Sequence, residues 1–238
     1  MAPVKARLPA APARTVDLRG ASFDAFLAHA FDRASDAWHV AEAQPATQLL
    51  VDPALQLAHG EKLLRAPSVL GRFTPAQRQQ GLRFLPGWFQ PDFFSQQLWN
   101  HDLPSGARVS CVAAMEVLYR DLFAREPHGS DAHMWFDLLE DAAPGKPGDS
   151  AAGVFCADCE PVRRTLLGVL DSVLAMSADH CRRAALHGLN HWGTPAERAR
   201  IVDLWLRRMT DAELDATAPG EKQSLRSFAL LCRAGRYQ

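Results

Sequence analysis

The densest set of chemistry-bearing side chains lies in residues 178–192, ADHCRRAALHGLNHW. On a helix of 3.6 residues per turn, with His180 at zero, His187 falls at about 340°, His191 at about 20° and Arg183 at about 300°. Three imidazoles and a guanidinium therefore share one stripe. Cys181, Ala185, Gly188, Leu189 and Trp192 form the neighbouring packing side. His187 and His191, four residues apart, have the spacing of the two metal-binding histidines on a zincin helix. A zincin carries Glu directly after its first His, as general base. Here that position is Gly188, so metalloprotease chemistry has no base at that place. The bland reading has these rings capping carbonyls or lining a half-buried groove.

Cys156-Ala157-Asp158-Cys159 is a C-x-x-C. A structural zinc needs two more ligands. His180-Cys181 are adjacent residues, whose side chains diverge by about 100° on a helix and cannot both reach one ion. A thioredoxin-like motif needs a βαβ setting that the chain lacks. Two buried thiols at a helix start are the expectation. Ser150 follows Gly148-Asp149 in a loop, without the strand–turn–helix of a nucleophile elbow. Neither G-x-G-x-x-G nor G-K-[ST] occurs, so no phosphate loop is expected. Six aromatics between Phe84 and Trp99 (Phe84, Trp88, Phe89, Phe93, Phe94, Trp99) read as a plug sealing the core, with an exposed recognition patch as the alternative.

The elements that must position these residues are helical. The 238 residues hold 39 Ala and 30 Leu against 13 Val, 1 Ile and 2 Tyr. Ala and Leu are strong helix formers, whereas β-branched and aromatic residues fill strands. Ser22 is positioned to cap a helix bearing Phe23, Phe26, Leu27 and Phe31. A second helix spans about 47–65, with Pro53 as a start or kink. Thr74-Pro75-Ala76-Gln77, Thr194-Pro195-Ala196-Glu197 and Thr210-Asp211-Ala212-Glu213 are capping boxes that fix three helix starts. Pro104-Ser105 opens a helix to about 125, Ser130 or Asp131 opens a short one, and residues 160–176 are strongly periodic. Ser177 is the expected cap of 178–191, and Gly193 ends that helix in left-handed geometry. The short connection to 195–209 makes an αα-hairpin, and a last helix covers about 221–233.

Two segments carry a resemblance. Phe73-Thr74-Pro75-Ala76-Gln77-Arg78-Gln79-Gln80-Gly81-Leu82 and Ser177–Trp192, more loosely Met134–Leu138, resemble a group of uncharacterised all-helical bacterial proteins. Arg182–Leu189 also resembles the inner helix of a HEAT-type repeat. The resemblance implies an all-α fold without an assigned activity.

The expectation is thus an all-α chain of stacked antiparallel helix pairs, a HEAT-like right-handed α-superhelix. Residues 1–20 form a flexible tail, 21–238 a single helical domain, and 142–153 a loop between two halves. The charge balance, 26 Lys+Arg against 27 Asp+Glu, argues against nucleic acid. The apolar runs fall short of a membrane span, and five cysteines suit a reducing cytoplasm. No catalytic set assembles and no cofactor is implied. The expected function is a non-enzymatic scaffold that binds another protein through a groove of His180, Arg183, His187 and His191, with Trp192 at its edge. The alternative is a metal-binding helical protein or metal-dependent hydrolase using His180, His187 and His191, with Asp179 or Glu160 nearby. The oligomeric state stays open.

Overall fold

A computed structural model describes residues 15–32, 48–86, 94–125, 130–140, 143, 156–217 and 220–236. The fold is all-α, as the composition requires, with eleven α-helices among the described residues. Two three-residue strands are the exception. β1 (Thr15–Asp17) pairs in parallel with β2 (Gln48–Leu50), Val16 opposite Leu49. The helix expected over 47–65 therefore begins only at α2 (Pro53–Arg65), where the Asp52 carboxylate caps the start. Residues 48–50 lack a cap ahead of them, and their backbone groups find a strand partner instead. The last six residues of the stretch assigned to the tail are this first strand and the turn after it, and Leu18 there is buried. The 142–153 loop lies outside the described residues except for Ala143.

The helix starts written in the sequence are present. Ser22 Oγ accepts from the Ala25 amide at the head of α1 (Phe23–Phe31). Both halves of the capping box form at α3 (Pro75–Phe84), and again at α9 (Pro195–Leu206) and α10 (Asp211–Asp215). The helix expected to run from Ser105 to about 125 is broken. It comprises α4 (Ser105–Ala113), α5 (Met115–Leu118) and a π turn over Tyr119–Phe123, where the Ala124 amide reaches back to the Tyr119 carbonyl. α6 (Ser130–Leu138), α7 (Glu160–Leu174), α8 (Asp179–Trp192) and α11 (Leu225–Arg233) complete the set.

α8 is enclosed: it packs against α6, α7, α9 and α11. Close approach is possible because Gly188 has no side chain. A Cβ there would stand 2.7 Å from Leu170 Cδ2 on α7 and 2.9 Å from Phe136 Cβ on α6. Gly193, expected in the left-handed region, is extended at φ −91°. What requires glycine there is space, since a Cβ would meet the Leu189 carbonyl oxygen at 2.9 Å. Ser177 does not cap α8 either; Ala178 occupies the cap position, without a side-chain hydrogen bond.

Arg163 ties three helices together. Its buried guanidinium, from α7, donates to the Trp192 carbonyl at the end of α8 (3.1 Å) and to both Glu197 oxygens in the α9 capping box (2.8 and 2.9 Å). It also donates to both oxygens of Glu160. The Arg163 charge, with Thr194 adding its backbone and hydroxyl bonds, holds the Glu197 carboxyl down to about 2.

Two expectations follow. Gly188→Leu should overpack the α6–α7–α8 contact and cost about 1–3 kcal/mol, read as a lower thermal midpoint. The depressed Glu197 carboxyl contributes stability that is full above about pH 4.5 and is lost as pH falls toward 2. Above that window the folded and unfolded carboxyls are both ionised; within it the unfolded chain takes up the proton first. Glu197→Gln should therefore lose on the order of 2 kcal/mol at neutral pH. It should also flatten the acid limb of stability against pH, measured by denaturant unfolding from pH 2 to 7.

Candidate metal centre at the α6–α8 seam

Enclosure decides what each polar group of α8 touches. The His180 Nε2 donates to the Phe123 carbonyl at 2.6 Å, next to the π turn. This is the carbonyl-capping role, and His180 is not among the donors that converge on the seam. Arg183 is buried. It donates to Asp179 (2.9 Å) and to the Gln223 carbonyl (3.0 Å), faces Glu221 at 3.4 Å, and lies over the Phe228 ring. It clamps the approach to α11. Trp192 is fully buried, stacked on Trp99 with its indole N–H on the Phe136 carbonyl (2.8 Å). It therefore cannot stand at the edge of a groove. Of the groove expected along 180/183/187/191, Arg183 and His187 are buried beneath α11 and α6, while His180 and His191 stay partly exposed.

What remains of the stripe, His187 and His191, faces α6. There His133 and Asp137 of α6, with Glu140 just past its end, recur at i, i+4 and i+7. His133 stacks on His187 with ring centroids 4.3 Å apart. The His191 Nδ1 bonds Glu140 Oε2 at 2.8 Å. The His191 Nε2 stands 3.1 Å from His187 Nε2 and 3.2 Å from Asp137 Oδ1. One donor atom from each of Asp137, His187 and His191 thus lies within 4.8 Å of the others. His187 is buried, while the Asp137 and His191 side chains are 23% and 20% exposed, so the cluster reaches solvent along one side.

The electrostatics favour neutral rings. Burial pushes His133 down to about 4, helped by the neighbouring His187, Arg183 and His191 charges. Burial likewise lowers His187, with His191 adding to it; Asp137, the His133 backbone and Glu140 oppose. A neutral imidazole is the form that binds a metal.

The α6 partners were not singled out from the sequence, although the H-x-x-x-D-x-x-E spacing of residues 133–140 was available as a signal. Without a reason to pair α6 with α8, that spacing reads as an ordinary solvated face. The aromatic run is divided. Phe84, Phe94 and Trp99 are buried in the core, as a plug would be, and Phe94 lies over Gly60. Trp88, Phe89 and Phe93 lie outside the described residues, as does Ser150. The thiol expectation is corrected in part. Cys111, Cys181 and Cys232 are free and buried, but Cys156 is exposed and joined to Cys159 in a disulfide. The C-x-x-C backbone turn brings those two sulfurs together at the head of α7. No helix among the described residues is long and apolar enough to cross a membrane.

Comparison with known protein families, with curated proteins and with solved structures finds no match for this chain.

Proposed function

We propose that this chain is a metal-binding helical protein whose α6–α8 seam holds one divalent transition-metal ion through Asp137, His187 and His191. The observation that carries the reading is the convergence of these three donors. Ligands held about 2.0–2.1 Å from a tetrahedral zinc stand about 3.4 Å from one another. The His187–His191 and His191–Asp137 separations of 3.1 and 3.2 Å are close to such edges. Glu140 supplies the outer carboxylate that metal-bound histidines use to fix their tautomer: accepting from Nδ1–H leaves the His191 Nε2 lone pair directed at the seam.

Two histidines and a carboxylate leave coordination positions for water, the set that hydrolytic zinc sites and non-haem iron sites share. The hydrolase form of the reading rests on that open position. The HEAT-like stacking of antiparallel pairs belongs with the same proposal, supported by the Gly193-Thr194 connection between α8 and α9. So does a cytoplasmic location, supported by three free cysteines. The groove-lined interaction protein is the less favoured reading, since Arg183, His187 and Trp192, three of the side chains that were to line or edge the groove, are buried. A proton shared between His191 and Asp137 would fill the same gap as a metal, and metal analysis separates the two.

The test uses full-length protein carrying Cys156→Ser and Cys159→Ser, so that thiols contribute no ligands. Purified without chelating resin, or reconstituted with zinc or ferrous iron, it should hold about one equivalent by elemental analysis. Asp137→Asn should abolish stoichiometric binding, Glu140→Gln should weaken it by about 10–100-fold, and His180→Ala should leave it unchanged. Absence of stoichiometric metal after reconstitution, or full retention in Asp137→Asn, would overturn the reading.

A further inference from the structure

A second polar cluster lies at the opposite end of α7 from the turn into α8, and nothing in the metal reading uses it. Cys156 and Cys159 are joined in a disulfide at the head of this fifteen-residue helix. Cys156 is exposed and Cys159 fully buried, so an incoming group can reach one sulfur and not the other. The Cys159 amide donates to Cys156 Sγ at 3.2 Å. His101 presents Nε2 to both sulfurs, 4.0 Å from Cys156 and 3.8 Å from Cys159. The same ring bonds Asp158 Oδ2 through Nδ1 at 2.7 Å, and Asp158 Oδ2 also accepts from Arg108 NH2 at 2.6 Å. The Arg108 side chain is wholly buried, and its Nε and NH1 have no partner among the described residues. Its charge is paired with Asp158, which it anchors at the disulfide turn.

We propose that Cys156–Cys159 is a redox-active pair that exchanges electrons with dithiols and disulfides, with Cys156 as the attacking and attacked sulfur and His101 as its proton acceptor. This chemistry needs an accessible sulfur, a donor to its thiolate and a base within reach; a disulfide kept for structure alone needs none of them. The step balances with a dithiol as co-reactant. Its thiolate attacks Cys156 Sγ, the Cys156–Cys159 bond breaks, and the electron pair leaves on Cys159 Sγ, which takes up a proton. The donor's second thiol, deprotonated by His101 Nε2, then attacks the donor's first sulfur in the mixed disulfide and expels the Cys156 thiolate, which takes that proton back from the imidazolium. The donor leaves oxidised to a disulfide, and the protein retains two electrons and two protons. In the reverse direction the Cys156 thiol passes its proton to His101 Nε2, and Asp158 balances the imidazolium. Asp158 and Arg108 are positioning residues. The charged groups facing the pair are His101 from the turn before α4, Arg108 from α4, Asp158, and Glu160 of α7, which Arg163 and Arg164 already neutralise.

The test is redox titration of the full-length protein in buffers of reduced and oxidised dithiothreitol, with alkylation and mass spectrometry at each ratio. Cys111, Cys181 and Cys232 are internal controls: burial drives Cys111 well up, and Cys181 and Cys232 up to about 12. Cys156 and Cys159 should convert together in one two-electron transition while the controls stay unmodified. In the reduced protein Cys156 should react with iodoacetamide at neutral pH about tenfold faster than in His101→Ala, a substitution at a half-exposed side chain. Asp158→Asn should shift the pH profile of that reaction without abolishing it. A pair that stays locked through strongly reducing buffer, an alkylation rate unchanged in His101→Ala, or a stoichiometric metal held by the reduced pair in Asp137→Asn protein would each overturn the proposal. These readouts do not depend on metal at the α6–α8 seam, so the two proposals fail separately.

Discussion

A helix packed against four others has little water to give its buried polar groups. That constraint governs α8, and through it the middle of the molecule. Arg183, His187 and Trp192 are all buried there, and each is answered: Arg183 by Asp179 one turn back and the Gln223 carbonyl, His187 by His133 of α6 and His191, and Trp192 by the Phe136 carbonyl. A buried donor left without an acceptor costs about as much as a lost hydrogen bond or more. The partners are therefore as much a part of the packing as the apolar residues. The absence of a side chain at Gly188 lets α6 and α7 come close enough to supply them.

The same logic acts at the end of the helix. Carbonyls in the last turn of α8 have no partner within the helix. One of them, at Trp192, is taken by Arg163. Because that guanidinium also binds Glu197, the capping box that starts α9 is fastened to the element that finishes α8. Arg198 adds bonds to the Asn190 and Gly193 carbonyls. A turn of two residues is held by two arginines rather than by its own backbone geometry.

The two histidine-bearing clusters differ in setting, and so in chemistry. At the α6–α8 seam neutral rings and carboxylates crowd around one small volume, with little water to screen them; a cation there relieves the crowding of lone pairs. At the head of α7 the ring is half-exposed and faces sulfur. Its carboxylate partner is shared with a buried arginine, so the ring is held with its other nitrogen on the two sulfurs. Both clusters place a carboxylate behind an imidazole, which fixes the ring and leaves the other nitrogen to act.

The sequence by itself determined the helical class, the helix starts at residues 22, 74, 194 and 210, and the packing role of Gly188. These depend on local physics: propensity, a hydroxyl three residues before a Glu or Gln, the 3.6-residue period. It also located the polar stripe of α8. It did not say what that stripe faces. An angular position on a helix separates one side from another, but whether a side meets water or a second helix depends on contacts far apart in sequence. Only the tertiary structure brought Asp137 and Glu140 to His187 and His191, sent His180 to the Phe123 carbonyl, buried Trp192, and set His101 against Cys156 and Cys159 across more than fifty residues of chain. The same holds for Gly193 and the strand at 48–50, where neighbours distant in sequence, not local preference, fixed the backbone.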